Sequence, residues 1–121
     1  MRLIIWETRE VPLVDGDSVD IYLKAIFSQD SLNSHPVTKQ TDIHYACKDG
    51  RGIFNYRMKF DLQMPSDFPR IKLQLYDHNM ITDEALGEAM LNIKNTVLLL
   101  QKHGSMEMRK VWTSFTKPGT A

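Results

Sequence analysis

Apolar and polar residues alternate along most of this chain. Between positions 53 and 62, Phe54, Tyr56, Met58, Phe60 and Leu62 fall on one face, while Asn55, Arg57, Lys59 and Asp61 fall on the other. A period of two marks a half-buried β-strand. Residues 70–76 repeat it, with Ile71, Leu73 and Leu75 inward and Arg70, Lys72 and Gln74 outward. Residues 20–27 set Ile21, Leu23, Ala25 and Phe27 against Tyr22 and Lys24. Further strands are predicted at 2–8, 38–46, 86–92 and 107–115. Turn-forming segments separate them at 15–18, 28–36, 48–52 and 65–69, the last with two prolines that a central strand would exclude. Seven short strands spaced by such breaks predict an all-β antiparallel sandwich. One segment departs from the pattern: 96–103 reads as a short helix, with Asn95 as its N-cap and Gly104 just past its end. Lys102 and His103 fall in its last turn, where positive charge is favourable.

Composition narrows the class. With 121 residues, 42% apolar and 25% charged, the chain has the balance of one folded domain and is large enough to fold without a metal. No run approaches the roughly 20 apolar residues that span a bilayer. The opening Met1-Arg2-Leu3 runs into a strand without a small-residue cleavage site, so no signal peptide is expected. Fifteen basic residues balance fifteen acidic ones, which weighs against a nucleic-acid partner. The single Cys47 cannot form an internal disulfide and suits a reducing setting.

The placement of acid is more informative than its amount. Asp15, Asp17 and Asp20 cluster between the first two predicted strands; Asp77, Asn79, Asp83 and Glu84 cluster between the fifth and sixth. Six of the fifteen acids lie there, leaving nine against fifteen basic residues, a formal +6 for the remainder. In a sandwich both connections can leave from one end, bringing the six carboxylates together. Crowded carboxylates repel unless a cation sits among them. Ca²⁺ takes six to eight oxygens in flexible geometry and fits such loops better than Mg²⁺; zinc lacks a ligand spacing here. The competing reading is that aspartate is common in turns, and spacing alone leaves both open.

The residues also carry a resemblance. Leu3-Ile4-Ile5-Trp6, Val11 to Asp15 and Asp20-Ile21-Tyr22-Leu23-Lys24 resemble the opening of a C2 domain. Leu75-Tyr76-Asp77-His78-Asn79 with Leu86-Gly87 resembles its third calcium loop and the strand after it. Two stretches are more specific. Lys39-Gln40-Thr41-Asp42-Ile43-His44-Tyr45 and Asp49-Gly50-Arg51-Gly52-Ile53-Phe54-Asn55-Tyr56-Arg57 are similar to the corresponding strands of ferlin C2 domains. The resemblance covers about residues 3–93. It implies an eight-stranded Greek-key C2 β-sandwich over 1–116, one edge strand short, with 117–121 as a tail. It further implies a module of a larger membrane-anchored protein of vesicle fusion, working at the cytoplasmic face of a vesicle or the plasma membrane.

By that resemblance, Ca²⁺ would be held by Asp15, Asp20, Asp77, Asn79 and Glu84, with Asp83 competing with Glu84. Asn79 stands where an aspartate is usual, so the site loses charge and affinity. The expected partner is an anionic phospholipid membrane, whose phosphates complete the ion's shell. Met80 and Ile81 fall at the third-loop tip, where they either insert into the lipid interface or pack on a neighbouring loop. Tyr22 and Lys24 match positions of a second, phosphoinositide-reading patch, although Thr41 and Ile43 replace lysines there. Other partners implied are fusion-machinery proteins and further domains of the parent chain. The alternative is a calcium-independent protein-interaction module with a vestigial ion site. An enzyme is not expected, since no nucleophile motif or acid–base pair is present. Trp6 and Trp112 are expected in core or strand packing rather than as lipid anchors, and the Leu98-Leu99-Leu100 run is expected to be buried rather than membrane-active.

Overall fold

The computed structural model describes residues 1–11, 18–30, 35–63, 66–79, 82–104 and 111–117. Seven strands and one helix follow in order: β1 (Arg2–Thr8), β2 (Ser18–Ser28), β3 (Val37–Gln40), β4 (His44–Lys48), β5 (Gly52–Lys59), β6 (Arg70–Asp77), β7 (Glu84–Asn92) and α1 (Lys94–His103). All pairings are antiparallel. The larger sheet runs β3-β2-β6-β7, with β4 also paired to β2; the smaller is β1-β5. The two sheets enclose one core. Ile21, Leu23, Ala25, Phe27, Ile71, Leu73 and Leu75 from the larger meet Ile5, Phe54, Met58 and Phe60 from the smaller side. These are the positions that the alternation selects, because successive side chains of a strand point to opposite faces.

Four expectations are corrected. The strand foreseen at 38–46 is two strands, β3 and β4, lying end to end against β2. Buried Thr41 causes the break. Its amide donates to Leu23 O (2.9 Å) and its hydroxyl accepts from Leu23 N (3.0 Å), so a side chain replaces a rung of the ladder. The strand foreseen at 107–115 is absent over 111–115, and a single bridge between Thr116 and Glu88 forms just past it; 107–110 lie outside the described residues. Finally, Asn95 is not the helix cap. The N-cap is Ile93, without a side-chain cap bond, and the Asn92 side chain accepts from Lys94 N (3.0 Å). Gly104 does close the helix in the left-handed conformation, its amide bonding Leu100 O. Ile93 and Val97 anchor α1 to the core, but Leu98 and Leu99 are exposed rather than buried.

Backbone irregularities shape the end of the sandwich that carries the loops. Asp49 and Gly50 both have positive φ and form a tight turn from β4 to β5, closed by Arg51 N to Lys48 O (3.1 Å). Opposite Trp6, β5 supplies two residues, Phe54 and Asn55, and Asn55 takes φ 47°. This β-bulge gives the asparagine of the Phe54-Asn55-Tyr56-Arg57 stretch a physical reason, since asparagine tolerates the left-handed region best among non-glycines. Gly87 sits where an added Cβ would lie 3.1 Å from Phe115 Cβ, so the chain near the C-terminus closes directly onto β7.

Candidate functional site

The β1–β2 connection, the β4–β5 turn and the β6–β7 connection leave from one end of the sandwich. Thr8 is paired with Gly52, Ser18 with Lys48 and Asp77 with Glu84. That is the end at which the sequence places its acids. Asp15, Met80 and Ile81 lie outside the described residues, as does Asp17.

Asp77 ends β6 and is buried at 5% exposure; its Oδ1 accepts the amide of Asp20 (3.2 Å), which joins the two acidic connections directly. Asp20 sits opposite a second β-bulge, in β4, where Ala46 has φ 52°. The Asp20 carboxylate accepts the Ala46 amide at 2.7 Å and so fixes that bulge. A carboxylate has about four acceptor sites, so neither bond excludes a cation from these groups. Asn79 follows in the β6–β7 connection, and Glu84 opens β7 as an exposed residue paired with Asp77.

Asp83 behaves differently. One oxygen takes the phenolic hydroxyl of Tyr22; the other meets His78 Nδ1 at 2.9 Å and accepts the Asn79 amide at 3.3 Å. The Tyr22 hydrogen bond, helped by the Asn79 amide and His78, holds this carboxyl below its usual range. Burial first, then the bond and charge of Asp83, push the Tyr22 phenol well above the usual tyrosine value. Asp83 is thus committed to protein donors. Among the described residues, no three His, Cys, Asp or Glu side chains group so as to hold a metal ion. Of the four described carboxylates, Asp20 and Asp77 are joined through the Asp20 amide, Glu84 is the register partner of Asp77, and Asp83 engages Tyr22, His78 and the Asn79 amide.

Tyr22 and Lys24 are also clarified. Tyr22 points out of the sheet yet is only 3% exposed, because it stacks on its cross-strand partner Tyr76 (centroids 5.2 Å, planes 10° apart) beneath His78 and Asp83. It is a buried support of that face of the sheet. The Lys24 ammonium lies over the Tyr76 ring at 4.8 Å, on the accessible face of the sheet. Sequence reasoning missed His78, whose ring also meets Tyr45 edge-on at 6.1 Å. It misjudged Trp112 as well, which is 65% exposed with the Arg9 guanidinium 4.6 Å above its ring. Cys47 is buried, donates to His44 O (3.1 Å), and burial raises its thiol pKa. No described helix is long and apolar enough to cross a membrane.

No family model matches the chain. Among curated proteins, it is 33% identical over 123 residues to Ferlin 2 of Tetrahymena thermophila, covering 98% of this chain. It is 33% identical over 94 residues to Ferlin 1 of Toxoplasma gondii, covering 77% of this chain, and 28% identical over 126 residues to Myoferlin of Mus musculus, covering 81%. The chain spans only 6–7% of those relatives' length. A solved structure of CC2D1B, described as coordinating ESRCT-III activity during mitotic reformation of the nuclear envelope, superposes with a TM-score of 0.63. That match covers 78% of this chain and 41% of the other at 15% identity, a likeness of fold alone.

Proposed function

Because the chain is a ferlin-like domain built as a C2-type antiparallel sandwich, we propose that it is a membrane-binding module of vesicle fusion and trafficking, docking its loop end on anionic phospholipid with weak or partial calcium dependence. The observation that carries this reading is the Asp20–Asp77 contact, which joins the two acidic connections at one end of the fold. Asp20, Asp77, Asn79 and Glu84, with Asp15 from the preceding connection, would hold Ca²⁺. The ion would supply positive charge and open coordination positions for lipid phosphate. The residues' own part is electrostatic. Without a cation their negative charge repels an anionic leaflet; once it is neutralised, the basic remainder of the domain dominates. Met80 and Ile81 would add apolar contact at the interface. Within its parent protein the module would work at the cytoplasmic face of a vesicle or of the plasma membrane.

One observation favours a second reading. Asp83 is spent on Tyr22, His78 and Asn79, and Asn79 itself is neutral, which leaves few carboxylates for an ion. A protein-interaction module on the same fold would tolerate that loss. Co-sedimentation with phosphatidylserine-containing and pure phosphatidylcholine vesicles, with and without millimolar calcium and across a salt series, separates the two. The membrane reading expects salt-sensitive binding to the anionic vesicles alone, strengthened by calcium. Absence of binding under every condition would leave the protein-interaction reading.

A further inference from the structure

The loop end carries an exposed tryptophan that the acidic loops do not explain. Trp112 and Val111 are each 65% exposed, and Ile53 is 57% exposed. Arg9 joins them. Its guanidinium stacks on the Trp112 ring at 4.6 Å and pairs with Glu7 at 3.1 Å, while Glu7 also meets Arg51 at 3.6 Å and is the register partner of Ile53. Two guanidinium groups thus share the Glu7 carboxylate, one of them stacked on exposed Trp112, and Glu7 is paired across the strands with exposed Ile53. Arg9 follows the last residue of β1, and Arg51 follows the Asp49–Gly50 turn. Both lie at the end from which the acidic connections leave.

We propose that Trp112, with Arg9 and Arg51 beside it, is a second membrane anchor of the loop end, seating the indole in the interfacial region of an anionic phospholipid leaflet. The chemistry matches that occupant. Indole rings partition to the headgroup level, where one edge is apolar and the other wet. Guanidinium groups bind phosphate through a planar fork and are attracted to anionic lipid. Arg9 holds the exposed ring in place before any lipid arrives, which lowers the ordering entropy lost on docking. A leaflet touching the loops meets this patch in the same approach. The inference rests on the membrane-binding reading above, and its test separates the two.

The chain has two tryptophans, so Trp6→Phe leaves Trp112 as the only indole. Its emission is recorded while phosphatidylserine/phosphatidylcholine vesicles are added with calcium, with and without brominated acyl chains, and co-sedimentation is measured on the same samples. A shift to shorter wavelength with quenching by the brominated lipid is expected. Trp112→Ala in the otherwise natural chain should weaken vesicle affinity roughly tenfold, and Arg9→Gln should weaken it less. Vesicle binding with unchanged Trp112 emission, or an undiminished affinity in Trp112→Ala, overturns the anchor and leaves the membrane-binding reading intact. Absence of sedimentation by the natural chain defeats that reading and the anchor with it.

Discussion

The phenolic hydroxyl of Tyr22 is donated to the carboxylate of Asp83 across the larger sheet, tying the middle of β2 to the connection before β7. Tyr22 is held by its stack on Tyr76, so the bond fixes Asp83 rather than the reverse. Removing the hydroxyl in Tyr22→Phe leaves the stack and loses one hydrogen bond, a cost of about 1 kcal/mol. Denaturant unfolding of the two proteins measures it. Amide shifts of residues 78, 79, 83 and 84 should move more than those of β5.

The same pair gives the fold a defined pH response. The Tyr22 pKa is raised in the folded state, so its contribution is complete below the ordinary tyrosine value near 10 and is lost as pH rises above it. The Asp83 pKa is lowered, so its contribution is complete above the ordinary carboxylate value near 4 and is lost as pH falls below it. Thermal unfolding followed from pH 3 to 11 should therefore show an alkaline loss of stability that Tyr22→Phe makes shallower, the buried Cys47 thiol supplying the remainder. An alkaline limb of equal steepness in both proteins would contradict this assignment.

Two backbone positions should respond in opposite directions. Ala46 is left-handed at φ 52° inside a strand, a conformation that strains any residue with a Cβ. Ala46→Gly relieves the strain at some loss of chain entropy, for a net gain of about 0.5–1 kcal/mol. Gly50 is left-handed at φ 66°, and a Cβ there would lie 2.4 Å from the backbone N and O of Val11. Gly50→Ala should cost about 3 kcal/mol or more, because the turn and the chain entering the first acidic connection must both move. Chemical denaturation with unchanged m-values reads both effects.

The sandwich was legible because its strands alternate cleanly. Phe54, Met58, Ile71, Leu73 and Leu75 are inward both in the pattern and in the structure. What escaped depends on contacts distant in sequence. The break at Thr41 exists because Leu23, eighteen residues earlier, supplies an amide to its hydroxyl. The burial of Tyr22 needs Tyr76 stacked on it and Asp83 beside it, so strand parity alone places it in solvent. Asp49, Gly50 and Asn55 advertise positive φ by residue type, whereas Ala46 does not. Asp83 and Glu84 stand side by side in the sequence, and what distinguishes them in the structure is the Tyr22 phenol, which engages Asp83. Leu98 and Leu99 read as core from hydrophobicity, yet α1 turns Ile93 and Val97 inward and leaves them in solvent.

That division of labour among the acids yields the sharpest expectation for calcium. Asp77→Asn keeps an oxygen for the Asp20 amide and removes one charge from the proposed site. Asp20→Asn likewise keeps an acceptor for Ala46, so both variants retain these backbone bonds and should cost less stability than the corresponding alanine variants. Both should weaken any calcium response, since affinity follows ligand charge. Asp20→Ala, in contrast, also strips the Ala46 amide of its partner and should cost about 1–2 kcal/mol. Asp83→Asn should disturb the Tyr22 and His78 contacts while leaving calcium affinity close to natural. Amide NMR titration of the four variants with calcium reads affinity, and denaturant unfolding reads stability. An Asp83→Asn variant that loses calcium binding as fully as Asp77→Asn would show that Asp83 leaves Tyr22 for the ion, and that the Tyr22–Asp83 bond is the state calcium displaces.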